Sequence, residues 1–186
     1  LPRTCTMPKG LPFQPRHYVG LSMIATLMGT ALISPLYPIY QDHWGLSAGD
    51  INNIYVLYMI GALAGLVFLG RLGDRIGFVA TLLIALCLAL IGSLVCMMAQ
   101  DMAVLSAGRI LVGISGTLAT SSGVAGLNIL APEAKKPHVA LKGSLMVAGG
   151  FGLGPVIGGI VGQWVPMPLV SVHIPVLVMI VAGLVI

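Results

Sequence analysis

Gly70-Arg71-Leu72-Gly73-Asp74-Arg75-Ile76-Gly77 is a charged, glycine-rich island between two long apolar runs. Residues 51–69 before it and 78–99 after it hold no charged side chain. About 20 apolar residues, each rising ~1.5 Å along a helix, cover ~30 Å of hydrocarbon. The island therefore reads as a tight turn at a membrane surface, and the rest of the chain is oriented from it.

The composition agrees. Of 186 residues, 58% are hydrophobic and 8% charged, against about 25% charged in a soluble domain. Too little polar surface is available to cover a water-soluble globule. Alternating segments of ~10 residues, the signature of a membrane barrel, are absent. Backbone groups in hydrocarbon must pair within their own segment, so the spans are helices. The fold class is all-α, a polytopic membrane protein.

Six spans are expected, at about 18–40, 51–70, 78–99, 103–129, 141–161 and 169–186, after an N-terminal tail of residues 1–17. Arg3, Lys9, Arg16, Arg71, Arg75, Lys135, Lys136 and Lys142 fall on one side of the membrane, while the opposite loops hold Asp42, Asp50 and Asp101 and no Lys or Arg. Basic residues mark the cytoplasmic side. The tail, the 70–77 turn and the 130–141 loop are expected there. The tail is proline-interrupted and the run after it is too long for a cleavable signal. A first residue of Leu, and an apolar run reaching Ile186, lead to the expectation of a chain truncated before further spans.

Arg109 lies inside span 4, ~9 Å from its external end. An intramembrane charge either faces a protein interior or wet cavity, or snorkels to the interface. Span 1 ends in Ser34-Pro35-Leu36-Tyr37-Pro38, whose prolines bend or end the helix. Span 5 carries Gly150, Gly154, Gly158 and Gly162 four residues apart, a ridge for close helix approach. Gly149, Gly152 and Gly159 remove further side chains, and Pro155 adds a kink. The three cysteines, Cys5, Cys87 and Cys96, form no metal-binding pattern. No metal, nucleic-acid partner or catalytic residue is expected.

Together these motifs resemble the N-terminal six-span half of a major facilitator superfamily transporter, closest to the 12-span drug:proton antiporters. The 70–77 turn is similar to the superfamily's loop between spans 2 and 3 through Gly70, Leu72, Asp74, Arg75 and Gly77, although Phe78 and Val79 stand where basic residues are usual. Gly29 to Pro38 resembles the span-1 signature of a Gly followed by Pro-x-x-Pro. Gly108-Arg109-Ile110-Leu111-Val112-Gly113 resembles the span-4 pattern with a membrane Arg. Gly150, Gly154, Pro155, Gly158 and Gly159 resemble the span-5 antiporter motif.

The resemblance implies two inverted three-helix repeats, spans 1–3 and 4–6, packed against a second six-helix half that this chain lacks. Substrate would sit between the halves, with alternating access by rocking. Spans 1 and 4 would line the cavity and spans 2 and 5 would face the other half, the span-5 glycine ridge forming a sliding interface. The implied function is proton-coupled efflux of small organic or drug-like molecules across the cell membrane, driven by the proton gradient without a bound cofactor. The alternative is a facilitator or symporter of sugars or other metabolites.

Arg109 and Asp50 are the proton-coupling candidates, because every acid falls in a loop or at a span end. His173 is expected at the lipid interface. Met23, Met28, Tyr37, Ser115 and Asn128 are the cavity candidates, since flexible methionines and aromatics suit varied apolar ligands. A second class, a minor alternative, follows from Gly113-Ile114-Ser115-Gly116 and His173, which resemble the serine and histidine of six-span rhomboid proteases. A difference in depth of ~12 Å argues against that pair.

Overall fold

The computed structural model describes residues 15–132 and 138–185. Arg3, Lys9, Cys5, Glu133, Lys135 and Lys136 lie outside them. Every regular element among the described residues is helical: α1 (Pro15–Ala31), a 3₁₀ turn (Ser34–Leu36), α2 (Tyr37–Trp44), α3 (Ala48–Leu69), α4 (Leu72–Ile76), α5 (Phe78–Met97), α6 (Met102–Leu130), α7 (Val139–Trp164), α8 (Pro168–Ser171) and α9 (His173–Val185).

Five stretches are long and apolar enough to cross a membrane: Arg16–Trp44, α3, α5, α6 and α7. The sixth, Pro168–Leu184, is shorter and divides into α8 and α9. Span 1 runs further than the sequence suggests. The prolines at 35 and 38 tighten it into the 3₁₀ turn, and Pro38, at the start of α2, needs no helical donor. Span 1 therefore continues to Trp44 and stops at Gly45, whose φ of 65° suits glycine. α3 starts at a capping box formed by Ser47 and Asp50. α6 starts at Asp101, whose carboxylate accepts from the Val104 backbone N–H at 2.8 Å.

The 70–77 island is not a bare turn. It folds the short helix α4, bounded by Gly77 at φ 90°, ψ 156°, a backbone shape that only glycine adopts freely. Asp74 and Arg75 both point into solvent-accessible space.

The pairing of helices carries the repeat. α3 packs on α6 as α7 packs on α1; α5 packs on α6 as α9 packs on α1; α1 meets α6, and α5 meets α9. Spans 1, 2 and 3 thus have the neighbours that a twofold operation gives to spans 4, 5 and 6. Three helices per repeat reverse the direction of each equivalent span, so the repeats are inverted. Spans 1 and 4 are central, with 67% and 56% of their apolar windows buried against 17% for spans 2 and 5.

Glycines set these crossings. Gly61 and Gly65 of α3 lie against the backbone of α6 at Ile110 and Ile114. In the other repeat Gly150, Gly154 and Gly158 of α7 lie against the backbone of α1 and the residues following it, from Ile24 to Leu32. The ridge expected to slide on a second half therefore points into its own bundle. Its close approach to span 1 leaves no room for Cβ atoms. Gly149, Gly152 and Gly159 point away and have nothing within 4 Å. Gly162, at the outer end of the ridge, has a single neighbour, the Ile39 side chain at 3.6 Å from an added Cβ. Pro155 lies within α7, which continues unbroken through it.

Candidate functional site

Arg109 is the largest fully buried side chain, 2% exposed. Its place is made by the glycines at both ends of its motif. Gly108 lets α5 approach, its missing Cβ facing the Gly92 carbonyl, and Gly113 lets α3 approach at Tyr58 and Ala62. The guanidinium donates from Nη1 to the carbonyl of Thr30 at 2.8 Å, beside the end of α1. Its Cζ lies 4.5 Å from the centroid of the Tyr58 ring on α3. Three spans thus converge on one charge, and the side chain does not snorkel.

No carboxylate among the described residues pairs with Arg109. The described acids, Asp42, Asp50, Asp74 and Asp101, stand at helix ends or in loops. Asp50 accepts from the Ser47 backbone N–H at 2.9 Å and from its hydroxyl at 2.7 Å, so it is held as a helix cap. Around Arg109 the interior is polar instead. Tyr37 Oη, Tyr40 Oη, Ser106 Oγ, His173 Nε2 and Arg109 Nε are buried without a hydrogen-bond partner. Both tyrosines and His173 lie within electrostatic reach of the guanidinium. His173 is 3% exposed, inside the bundle rather than at a lipid interface, because α9 turns that face toward spans 1 and 3.

Beside Tyr58 the surface is concave. A cavity of about 240 Å³ is lined by Leu27 of span 1, Tyr58 and Leu66 of span 2, Gly113, Gly116, Thr117, Thr120 and Ser121 of span 4, and Phe151 of span 5. Its hydroxyls donate to their own helix: Thr117 to Ile114 O at 2.9 Å, Thr120 to Gly116 O at 2.8 Å and Ser121 to Leu118 O at 3.2 Å. Their oxygens retain lone pairs to accept from a ligand. A larger cavity of about 390 Å³ lies between the outer ends of spans 1, 3 and 6, near Trp44 and Gln100. It contains none of the motif residues and does not adjoin Tyr58, so the smaller concavity is the better candidate.

The sequence-based cavity residues divide. Met23 and Met28, 0% and 1% exposed, are packing groups, and Met23 fills the space left by Gly123. Ser115 is fully buried and its hydroxyl is committed to Val112 O at 2.7 Å. These three do not line the concavity. Burial between spans 1 and 4 uses the faces that those helices turn to each other, not the face they turn outward. Tyr37 is half-buried with its hydroxyl toward Arg109, though the two close no hydrogen bond. Asn128 is exposed, eleven residues beyond Thr117 and so on nearly the same helix face. Thr117, Thr120, Ser121, Tyr58 and Phe151 do not stand out in the sequence motifs. The spacing of the three hydroxyls at i, i+3 and i+4 on span 4 was the available signal.

Two inverted repeats around a buried cation, beside a concave wall of hydroxyls and aromatics, have the architecture of a secondary membrane transporter. Residues 19–186 match the Major Facilitator Superfamily, and the chain belongs to it, a family of transporters rather than enzymes. It is 27% identical to a riboflavin transporter of Clostridioides difficile strain 630, over 85% of this chain and 34% of that protein. It is 27% identical to the tetracenomycin C resistance and export protein of Streptomyces glaucescens, over 96% of this chain and 34% of that one. It is 33% identical to the class E tetracycline resistance protein of Escherichia coli, over 73% and 34%. The chain spans about a third of the length of these relatives. Membership removes the protease alternative, and Ser115 is bonded to a backbone carbonyl rather than to His173.

Proposed function

We propose that the complete protein exports small organic molecules in exchange for protons, by rocking this bundle against a second one. The carrying observation is the buried cation of Arg109, with no carboxylate partner among the described residues, held against the back of the concave wall through Tyr58. A charge without a counterion in a low-dielectric interior is costly and usually functional. Its polar surroundings from spans 1, 4 and 6 place unpartnered tyrosine and serine hydroxyls and the His173 imidazole around that charge. The exposed Asp74 and Arg75 and the open glycines of α7 suit a second bundle meeting this one at spans 2 and 5. The N-terminus is cytoplasmic in this reading, with Arg71 and Arg75 inside and Asp42, Asp50 and Asp101 outside. The export proteins among the relatives favour efflux of drug-like molecules.

The test is substrate-dependent proton flux in proteoliposomes holding the complete protein. Addition of a substrate should collapse an imposed pH gradient, and Arg109→Gln should reduce that flux at least ten-fold. Proton-independent transport, unaffected by the substitution, would overturn antiport. A second reading, metabolite uptake or facilitation, then leads; the similarity to a riboflavin transporter and the confinement of the described acids to helix ends and loops favour it.

A further inference from the structure

Tyr58 belongs to two environments. It lines the concavity, and it carries the Arg109 guanidinium against its ring, with the Cζ 4.5 Å from the centroid. Arg109 itself is 2% exposed and is absent from the cavity lining. The ring is thus the structural link between the buried charge and the wall.

Arginine does not lose its proton in a protein. The charge is permanent, and no carboxylate among the described residues compensates it. A guanidinium on an aromatic ring engages the electron-rich face that would otherwise attract a cationic ligand. The wall offers no acid in return: Thr117, Thr120 and Ser121 can accept hydrogen bonds, and Leu27, Leu66 and Phe151 are apolar. At an effective dielectric of about 20, two like charges roughly 10 Å apart repel enough to weaken binding by roughly ten-fold.

We infer that Tyr58 conveys the Arg109 charge to the ligand, and that the wall takes neutral or anionic planar molecules with hydrogen-bond donors in preference to cations. This inference rests on the reading of the concavity as the substrate wall. Tyr58 is a specificity-determining residue, its ring rather than its hydroxyl being the working part.

The experiment is equilibrium binding of three planar tricyclic dyes to the complete protein in lipid nanodiscs: resorufin as the monoanion, lumichrome as the neutral member and thionine as the monocation. Wild-type protein should bind resorufin and lumichrome at least ten-fold more tightly than thionine. Arg109→Gln should close most of that gap, while Arg109→Lys, which keeps the charge, should retain it. Tyr58→Phe, which keeps the ring, should preserve the order of preference among the dyes, and Tyr58→Leu should weaken the two preferred dyes several-fold. A thermal unfolding scan of each variant guards against misfolding, with the lysine and phenylalanine variants as the folded comparators. Tighter binding of thionine, or a gap that Arg109→Gln leaves intact, overturns the inference while the wall stands. Binding of no dye, or binding untouched by Thr117→Val with Thr120→Val, overturns the wall and the inference together.

Discussion

Arg109 and Thr30 are 79 residues apart in sequence and joined by one hydrogen bond of 2.8 Å, from a guanidinium to a backbone carbonyl. The bond ties span 4, about two turns in from its start, to span 1 just before its 3₁₀ break. Thr30 lies in the last turn of α1, where helix carbonyls lack a partner further along the same helix, so its oxygen is free to accept. The bend in span 1 and the charge in span 4 are parts of one arrangement.

That arrangement predicts a separation of stability from transport. Arg109→Met keeps much of the side chain's volume and removes an uncompensated buried charge. Replacing buried charges by apolar groups is often neutral or stabilising by about 1–4 kcal/mol. The variant should therefore unfold at or above the wild-type temperature, while substrate-driven proton flux falls at least ten-fold. Thermal unfolding in detergent and proteoliposome flux measure the two. A large loss of stability would make Arg109 a structural anchor instead.

The wall predicts a second contrast, between serine and threonine neighbours on one helix. Thr117→Val removes an acceptor oxygen from the concavity at nearly constant volume. One hydrogen bond is worth about 0.5–1.5 kcal/mol net, or roughly two- to ten-fold in affinity. Thr117→Val with Thr120→Val should raise KM for a donor-bearing substrate several-fold to tens of fold. Ser115→Ala, two residues away and facing inward, should leave KM within about two-fold. Equal effects would move the site off this face.

Much of this was legible in the chain. Uninterrupted apolar runs fix helices and spans because hydrocarbon permits little else. A single Arg in such a run declares itself for the same reason. What one sequence lacks is azimuth. Met23, Ser115 and Thr117 look equivalent as residues near midplane, and only the packing of α1 on α6 shows two of them turned inward. The span-5 ridge reads from sequence as a face for a second half, yet Gly158 packs against Leu32 while Gly159, about 100° further round the helix, is open. Facing is decided by contacts between distant segments, such as Gly154 with Met28, which no local pattern encodes.

Gly77 provides a local test. Its φ of 90° and ψ of 156° join α4 to α5. A side chain there has space, with nothing within 4 Å, but the backbone conformation costs a non-glycine residue about 1–3 kcal/mol. Gly77→Ala should destabilise by that amount through backbone strain alone, and Gly77→Asn by about as much, because this conformation lies outside the left-handed region that Asn tolerates. An alanine variant as stable as wild type would show that the joint relaxes without cost.

Gly158 and Gly159 offer the sharpest contrast because they are consecutive on one helix and share its intrinsic propensity. Alanine is favoured over glycine within a helix by about 0.5–1 kcal/mol. At Gly159 nothing lies within 4 Å of the added Cβ, so that preference should be realised and Gly159→Ala should be neutral or slightly stabilising. At Gly158 the Cβ would meet the Leu32 carbonyl oxygen and lie 2.9 Å from Pro35 Cγ. Neither is the flexible end of a side chain, so α7 must move off span 1, at a cost typical of overpacking, about 1–3 kcal/mol. Thermal unfolding should therefore separate the two variants in opposite directions. Transport should separate them differently. If α7 turns Gly159 to a second bundle, Gly159→Ala lowers the turnover rate without lowering stability. Gly158→Ala lowers both, because Leu32 and Pro35 lead directly from the Arg109-bound carbonyl of Thr30. Equal losses of stability at the two positions would mean that the inward and outward faces of span 5 have been assigned wrongly.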